Sequence, residues 1–210
     1  MKVLVMAKSP VPGAVKTRMC PPLHEDEAAE LASSALADTL GAVAASGADE
    51  RWIALDGAPG DWLPPGFRVI NQRGSTFADR LQDAWYTVGG PTLQIGMDTP
   101  QVSSTLLDQS CAALLTSPGA VLGHAHVGGW WALGMHQAHR GVFAGIAMST
   151  PQTGSDQSQR LRSLGLGPQL LPPLRDVDQW EDALAVARDC ATGSFARTVT
   201  RLASRKDVQR

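Results

Sequence analysis

Between Lys8 and Arg18 the chain reads Lys-Ser-Pro-Val-Pro-Gly-Ala-Val-Lys-Thr-Arg, with three cations, two prolines and one glycine in eleven residues. Proline lowers the entropy a loop loses on ordering. Glycine lets backbone approach a ligand closely, and Lys and Arg neutralise anionic oxygens. A polyphosphate-binding loop needs these properties, which makes Lys8, Gly13, Lys16 and Arg18 its candidate contacts. The segment is neither a Walker loop nor a GxGxxG turn, so composition alone leaves a solvated surface loop as the alternative. Gly96-Met97-Asp98-Thr99-Pro100 sets a carboxylate beside a proline-defined turn. Asp98 could ligate Mg²⁺, which prefers carboxylates combined with substrate phosphates, or it could be a turn or cap residue. Within Asp176–Asp182, Asp178 is a second candidate ligand. Alternatively it caps a helix starting near Gln179, with Glu181 at or near the third position closing a capping box.

Other chemistries find less support. His124 and His126 alternate so that on a strand both rings would point to one side, and His136 and His139 lie nearby. No carboxylate or cysteine accompanies them, so they do not read as a four-ligand zinc site. A G-x-S-x-G elbow is absent, which leaves serine hydrolysis unsupported. Cys20, Cys111 and Cys190 are odd in number and far apart, which suits a reducing compartment better than a disulfide framework. Trp130-Trp131 reads as sheet core, with one ring able to floor a sugar or base pocket.

The elements that position these residues follow from periodicity. Val3–Ala7 is a continuous apolar run, as in a buried strand of a parallel sheet. Glu25–Ser46 carries an apolar stripe from Ala28 to Val43, with acids in its first turn and Gly47 as a stop, which predicts a helix. Strands are expected at Arg51–Leu55, Phe67–Ile70, Thr92–Met97, Ala120–Gly123, Trp130–Met135 and Gln169–Leu171. Thr76 is placed to cap a helix from Phe77 to about Val88, and Ser103 or Ser104 caps the next. Further helices are expected near Asp156–Ser163, Trp180–Cys190 and Ser194–Ser204. Strands alternating with helices predict an α/β domain with a Rossmann-like, mostly parallel sheet flanked by helices. Ligands of such sheets sit at the carboxyl ends of strands. That rule selects Lys8–Arg18, Asn71–Ser75, Asp98–Pro100 and His124–Gly129, where most of the unusual chemistry is found.

Composition bounds the answer. With 210 residues, at about 150 per domain, a single domain over 1–210 is expected. Hydrophobic residues make up 43% and charged residues 18%, which excludes a disordered polyelectrolyte. A net charge of −2 gives no argument for nucleic acid or an anionic membrane as partner. Charge is nevertheless uneven. Of four lysines, Lys2, Lys8 and Lys16 open the chain, and no carboxylate appears before Glu25. Val3–Ala7 is too short for a signal-peptide core and no 18-residue apolar stretch occurs, so a cytoplasmic protein is expected.

Taken together, K-x-P-x-P-G-x-V-K-T-R, Q-R-G (Gln72–Gly74), G-x-D-x-P, L-G…G-G-W-W-x-L-G (Leu122–Gly134), S-T-P (Ser149–Pro151) and L-P-P-L-x-D-V-D (Leu171–Asp178) resemble the DUF2064 group of GT-A-fold glycosyltransferase-like proteins. The resemblance implies a single-domain nucleotide-diphospho-sugar transferase fold with nucleotide over the first strand's loop. It implies that Lys8, Lys16 and Arg18 contact phosphates and that Gln72, Arg73 and Gly74 border the base or ribose. Asp98 and Asp178 would hold Mg²⁺ or Mn²⁺, and Gly128, Gly129 and Trp130 would face sugar or acceptor. The implied activity is transfer from a nucleotide sugar to a small-molecule acceptor. Its alternatives are nucleotidyl transfer with pyrophosphate release, and nucleotide binding without catalysis. One departure bears on the choice. Where the family has L-G-P-A-x-D-G-G, this chain has Leu122-Gly-His-Ala-His-Val-Gly-Gly129, with Val127 in place of the acid. His124 or His126 would then have to supply a base, which a histidine of ordinary pKa can do.

Overall fold

Lys2–Lys8 (β1) is an interior strand of a seven-stranded sheet, and its residues 3–7 are buried. The computed structural model describes residues 1–190 and 192–208. After β1 and a 3₁₀ turn at Thr17–Met19 come α1 (Glu25–Ala45), β2 (Glu50–Asp56) and β3 (Phe67–Asn71). Then follow α2 (Phe77–Val88), β4 (Thr92–Gly96), α3 (Ser104–Thr116), β5 (Val121–Ala125) and β6 (Trp130–Met135). The chain continues through α4 (Thr153–Ser163), β7 (Gln169–Leu174), α5 (Trp180–Asp189) and α6 (Ser194–Val208). The strand order is β3-β2-β1-β4-β6-β5-β7. All neighbours pair in parallel except β6, which runs against both β4 and β5. The expected α/β architecture is therefore observed, with one antiparallel strand inserted.

Alternation along β1 divides the core, since successive side chains point to opposite faces. Val3, Val5 and Ala7 pack with α1 and α3, whereas Leu4 and Met6 pack with Leu81, Ala84 and Trp85 of α2. A third apolar layer lies outside α1. There Ala28, Leu31 and Ala35 meet Val186 of α5 and Phe195, Val199 and Leu202 of α6. Helix α1 is thus apolar on two sides because it lies between the sheet and α5–α6. Asp38 of α1 closes that layer by accepting from the Ser194 and Phe195 backbone N–H groups at 2.9 and 2.8 Å. A carboxylate there compensates the positive end of α6.

Thr76 and Ser103 cap α2 and α3 as expected, accepting from Asp79 and Leu106 N–H. Two local expectations are corrected. The α5 cap is Gln179, not Asp178, and its N–H is taken by Asp182 at 3.0 Å, not by Glu181. The capping box sits one residue later, which leaves the Asp178 carboxylate outside it. The pairing of His124 and His126 on one side of a strand also fails. β5 ends at Ala125 and its register shifts at His124, so period-two alternation does not carry through. Among the described residues no helix is long and apolar enough to cross a membrane.

Candidate active site

Six parallel strands bring their carboxyl ends to one edge of the sheet, and β6 contributes its amino end there. Lys8 and Asp56 end β1 and β2, Gln72 follows β3, and Asp98 follows β4. Two adjoining cavities open along this edge. The smaller, about 400 Å³, is bounded by Lys8, Lys16, Arg18, Gln72, Arg80 and Asp98. The larger, about 580 Å³, lies toward Trp130, Pro151 and Asp176. Met6, Arg18, Phe77, Gly96, Asp98 and Asp178 line both, so the cavities are halves of one cleft.

The first loop reaches across this cleft to two carboxylates. Lys16, its side chain only 7% exposed, ion-pairs with Asp98 Oδ1 and donates to the Val177 carbonyl. Arg18 Nη1 stands 3.2 Å from Asp178 Oδ2. Val177 N–H donates to the Asp98 carbonyl at 2.9 Å, which joins the β4 end to the segment before α5. Lys16 holds a left-handed backbone, with φ of 51°, at the start of the 3₁₀ turn. Such strain persists where the surrounding structure over-determines it; here the two bonds from Nζ do so. Lys8 lies 3.8 Å from Asp56, and Arg80 of α2 lies 3.1 Å from the same carboxylate.

Asp176 differs from its neighbours. Its Oδ1 is buried without a hydrogen-bond partner, and it forms no ion pair among the described residues. Burial first, then the charges of Asp178, Asp98 and Asp182, hold its carboxyl above the usual range. Asp182 is satisfied by Arg175 at 3.1 Å and by Gln179 N–H.

These positions test whether a divalent cation suits the site. Among the described residues no three His, Cys, Asp or Glu side chains converge as a ready-made metal centre. Mg²⁺-type ions do not need one, because they take one or two carboxylates and complete their shell with phosphate and water. Asp98 and Asp178 supply hard oxygen donors, and the unpartnered Asp176 Oδ1 lies in the same acidic group. The donor set fits Mg²⁺ or Mn²⁺. Lys16 and Arg18 neutralise Asp98 and Asp178, one cation to each carboxylate.

Not every residue singled out from sequence reaches the cleft. Gln72 does, but its amide donates to the Ala7 and Ala54 carbonyls at 2.9 and 3.0 Å, tying β1 to β2. Gly13, Arg73 and Gly74 are absent from the lining. Gly74 faces α2, where a Cβ would meet Asp79 Cβ at 2.5 Å and the Arg80 nitrogen at 2.8 Å. Gly129 and Trp130 line the larger cavity, whereas His124 and His126 line neither. His124 packs toward α4, with Nδ1 2.7 Å from where a Gly154 Cβ would stand, and His126 is exposed. Thr99 enters from the selected Asp98–Pro100 loop, whereas Asp56, Arg80, Phe77 and Gln94 enter without having been singled out. Asp56 ends a strand as Lys8 does, so the carboxyl-end rule contained a signal for it; nothing local marks the others.

The β5–β6 hairpin tip is fixed by close backbone contact. Gly128 has φ of +103°, and a Cβ on it would stand 2.1 Å from the Pro151 carbonyl oxygen. Its own carbonyl accepts from Gly154 N–H at 2.6 Å. Gly128→Ala is therefore expected to destabilise the fold by about 2–3 kcal/mol. At Gly129 the nearest neighbour to a Cβ is 3.8 Å away, so Gly129→Ala is expected to stay within about 1 kcal/mol of the parent. Urea unfolding of the two variants side by side distinguishes a pinned tip from a loose one.

Comparison with known proteins agrees with this architecture. The sequence profile described as "Uncharacterized protein conserved in bacteria (DUF2064)" matches residues 28–150, a span that includes Asp98 and the β5–β6 hairpin. The chain is similar to a candidate nucleotide-diphospho-sugar transferase from Desulfovibrio desulfuricans G20. The two share 25% identity over 98% of this chain and 95% of that one, with a TM-score of 0.85. At fold level it is also similar to 2-C-methyl-D-erythritol 4-phosphate cytidylyltransferase from Thermus thermophilus (19% identity, 90% and 98% covered, TM-score 0.53). A Mycobacterium tuberculosis H37Rv protein solved in complex with manganese matches at 18% identity, covering 88% and 96%, with a TM-score of 0.50. No curated protein matches the chain.

Proposed function

Because the chain belongs to the DUF2064 family and has the fold of nucleotidyl- and nucleotide-sugar transferases, we propose that it is a metal-assisted glycosyltransferase. It would move a sugar from a nucleoside-diphosphate donor to a small-molecule acceptor. The observation that carries this reading is the pairing of Lys16 with Asp98 and of Arg18 with Asp178 across one cleft. Two cations and two carboxylates at the carboxyl edge of the sheet are what a metal–diphosphate unit requires.

Lys16 and Arg18 would turn from carboxylate to diphosphate oxygens and stabilise the charge that develops on the leaving nucleoside diphosphate. Asp98 and Asp178 would hold Mg²⁺ or Mn²⁺. When bound, that ion would supply Lewis-acid neutralisation of the same oxygens. Gln72 would keep the ends of β1 and β2 together beneath the nucleotide, and Lys8 and Arg80 would remain on Asp56 at its far side.

A second reading is favoured by one observation. Val127, 57% exposed at the rim of the larger cavity, replaces the acid expected on the acceptor side. Nucleotidyl transfer onto a phosphate needs no such base, because the acceptor's phosphate is itself the nucleophile. Incubation with nucleoside-diphosphate sugars and, separately, with nucleoside triphosphates plus phosphorylated acceptors separates the two. Release of nucleoside diphosphate is expected, and release of pyrophosphate would select the second reading. Asp98→Asn is expected to lower metal-dependent turnover by about a hundredfold or more. Metal-dependent nucleotide binding with no turnover, and none gained by Val127→Asp, would leave a binding protein without catalysis.

A further inference from the structure

The geometry points to a non-anionic acceptor with hydroxyl groups and an apolar face for the larger cavity, which is built to reject a phosphorylated one. The inference rests on reading the adjoining half as the diphosphate site. The cavity's volume, about 580 Å³, is that of a small-molecule site.

Part of its lining is apolar, where Leu81, Trp130 and Met148 of one core layer bound it. Trp130 is backed by Phe143, with ring centroids 6.3 Å apart and planes 18° from parallel, which makes it a rigid platform. A platform of this kind suits the C–H face of a sugar or another flat apolar body. The lining also holds Asp98, Asp176, Asp178 and Asp182, against a single cation among the described residues, Arg18. Arg18 is already paired with Asp178, and Asp182 is held by Arg175. With Arg18 and Lys16 engaged by a diphosphate, and a divalent ion held by Asp98 and Asp178 neutralised by that same diphosphate, no side-chain cation of the lining would remain among the described residues for an anion on the acceptor.

Hydrogen bonding argues the same way. Among the buried polar atoms without a partner are Gln94 Oε1, Thr99 Oγ1 and Asp176 Oδ1, all on residues that line this cavity. The Gln94 and Asp176 oxygens take donors and the Thr99 hydroxyl both donates and accepts, so ligand hydroxyl groups match all three. A phosphate ester brings acceptor oxygens and negative charge near the unpartnered Asp176 oxygen, and like charges placed together disfavour binding.

The test uses two probes that differ by one group, phenyl glucoside and phenyl glucoside 6-phosphate. Each is titrated into the full chain with a nucleoside diphosphate and Mn²⁺ present, following tryptophan fluorescence. Phenyl glucoside is expected to bind about tenfold more tightly than its 6-phosphate. Trp130→Phe is expected to reduce the signal to the part that Trp131 of the same lining contributes, and Asp176→Asn to narrow the preference to about threefold. Equal or tighter binding of the 6-phosphate overturns the proposal. So does failure of phenyl glucoside to bind, or a signal that Trp130→Phe leaves undiminished. Thermal shifts with UDP, GDP, CDP and ADP plus Mn²⁺ report on the diphosphate site separately. If none of them binds, the functional reading above fails, while the probe preference is still decided by its own titration.

Discussion

Lys16→Ala is expected to weaken binding of nucleoside diphosphate with Mn²⁺ by about a hundredfold, the equivalent of two charge-assisted hydrogen bonds to phosphate. Its Nζ is the most enclosed cation of the cleft and already sits between the Asp98 carboxylate and the Val177 carbonyl. The left-handed backbone at this position is borne by lysine now, so alanine adds no new strain. Arg18, with a side chain 61% exposed, provides the comparison. Solvent and salt screen it, so Arg18→Ala is expected to weaken binding only about threefold to tenfold, and less at high ionic strength. Titration calorimetry on the two variants reads both effects. If Lys16→Ala bound nucleotide as tightly as the parent, the first loop would not be a phosphate site and the proposed function would fall.

Trp85→Ala carries the largest expected effect on stability. Trp85 is completely buried on α2 among Leu4, Met6, Leu81 and Val88, under the face of the sheet that supports the larger cavity. Truncating a buried tryptophan to alanine destabilises by about 3–5 kcal/mol, the sum of lost transfer energy and the cavity left behind. For a chain of this size that lowers the melting temperature by roughly 10 °C. The indole Nε1 has no hydrogen-bond partner among the described residues. Trp85→Phe removes that unpaired donor along with part of the ring, so its cost is expected to stay below about 2 kcal/mol. Thermal unfolding of the pair separates a packing role from a polar one. Equal losses for Phe and Ala would contradict the account of this core.

Local signals were readable where one principle dominated. The apolar run Val3–Ala7, the stripe from Ala28 to Val43 and the cap at Thr76 each follow from burial or capping along a single segment. The candidate site was readable to a similar depth. Loops expected at strand ends do gather Lys8, Lys16, Arg18 and Asp98 on one edge. The histidines were misleading because alternation presumes an unbroken strand, and β5 bulges at His124. Gly74 looked like part of a nucleotide contact but is small because α2 begins against it.

Legible in the sequence, then, were the class of fold, the cationic loop and Asp98 as a candidate ligand at a proline-defined turn. Each depends on residues close together in the chain. Tertiary structure alone decided which charges meet. Lys16 and Asp98, like Arg18 and Asp178, are far apart in sequence and are joined only because parallel strands end on one side of the sheet. It also decided that α1 is apolar on two faces, since α5 and α6 cover its outer one and Asp38 holds the start of α6. It left Asp176 Oδ1 without a partner in the cavity that Trp130 also lines, because the chain after β7 turns into the larger cavity before α5 begins. Pairing, burial and the lack of a partner are relations between distant residues, and only the folded chain brings those residues within reach.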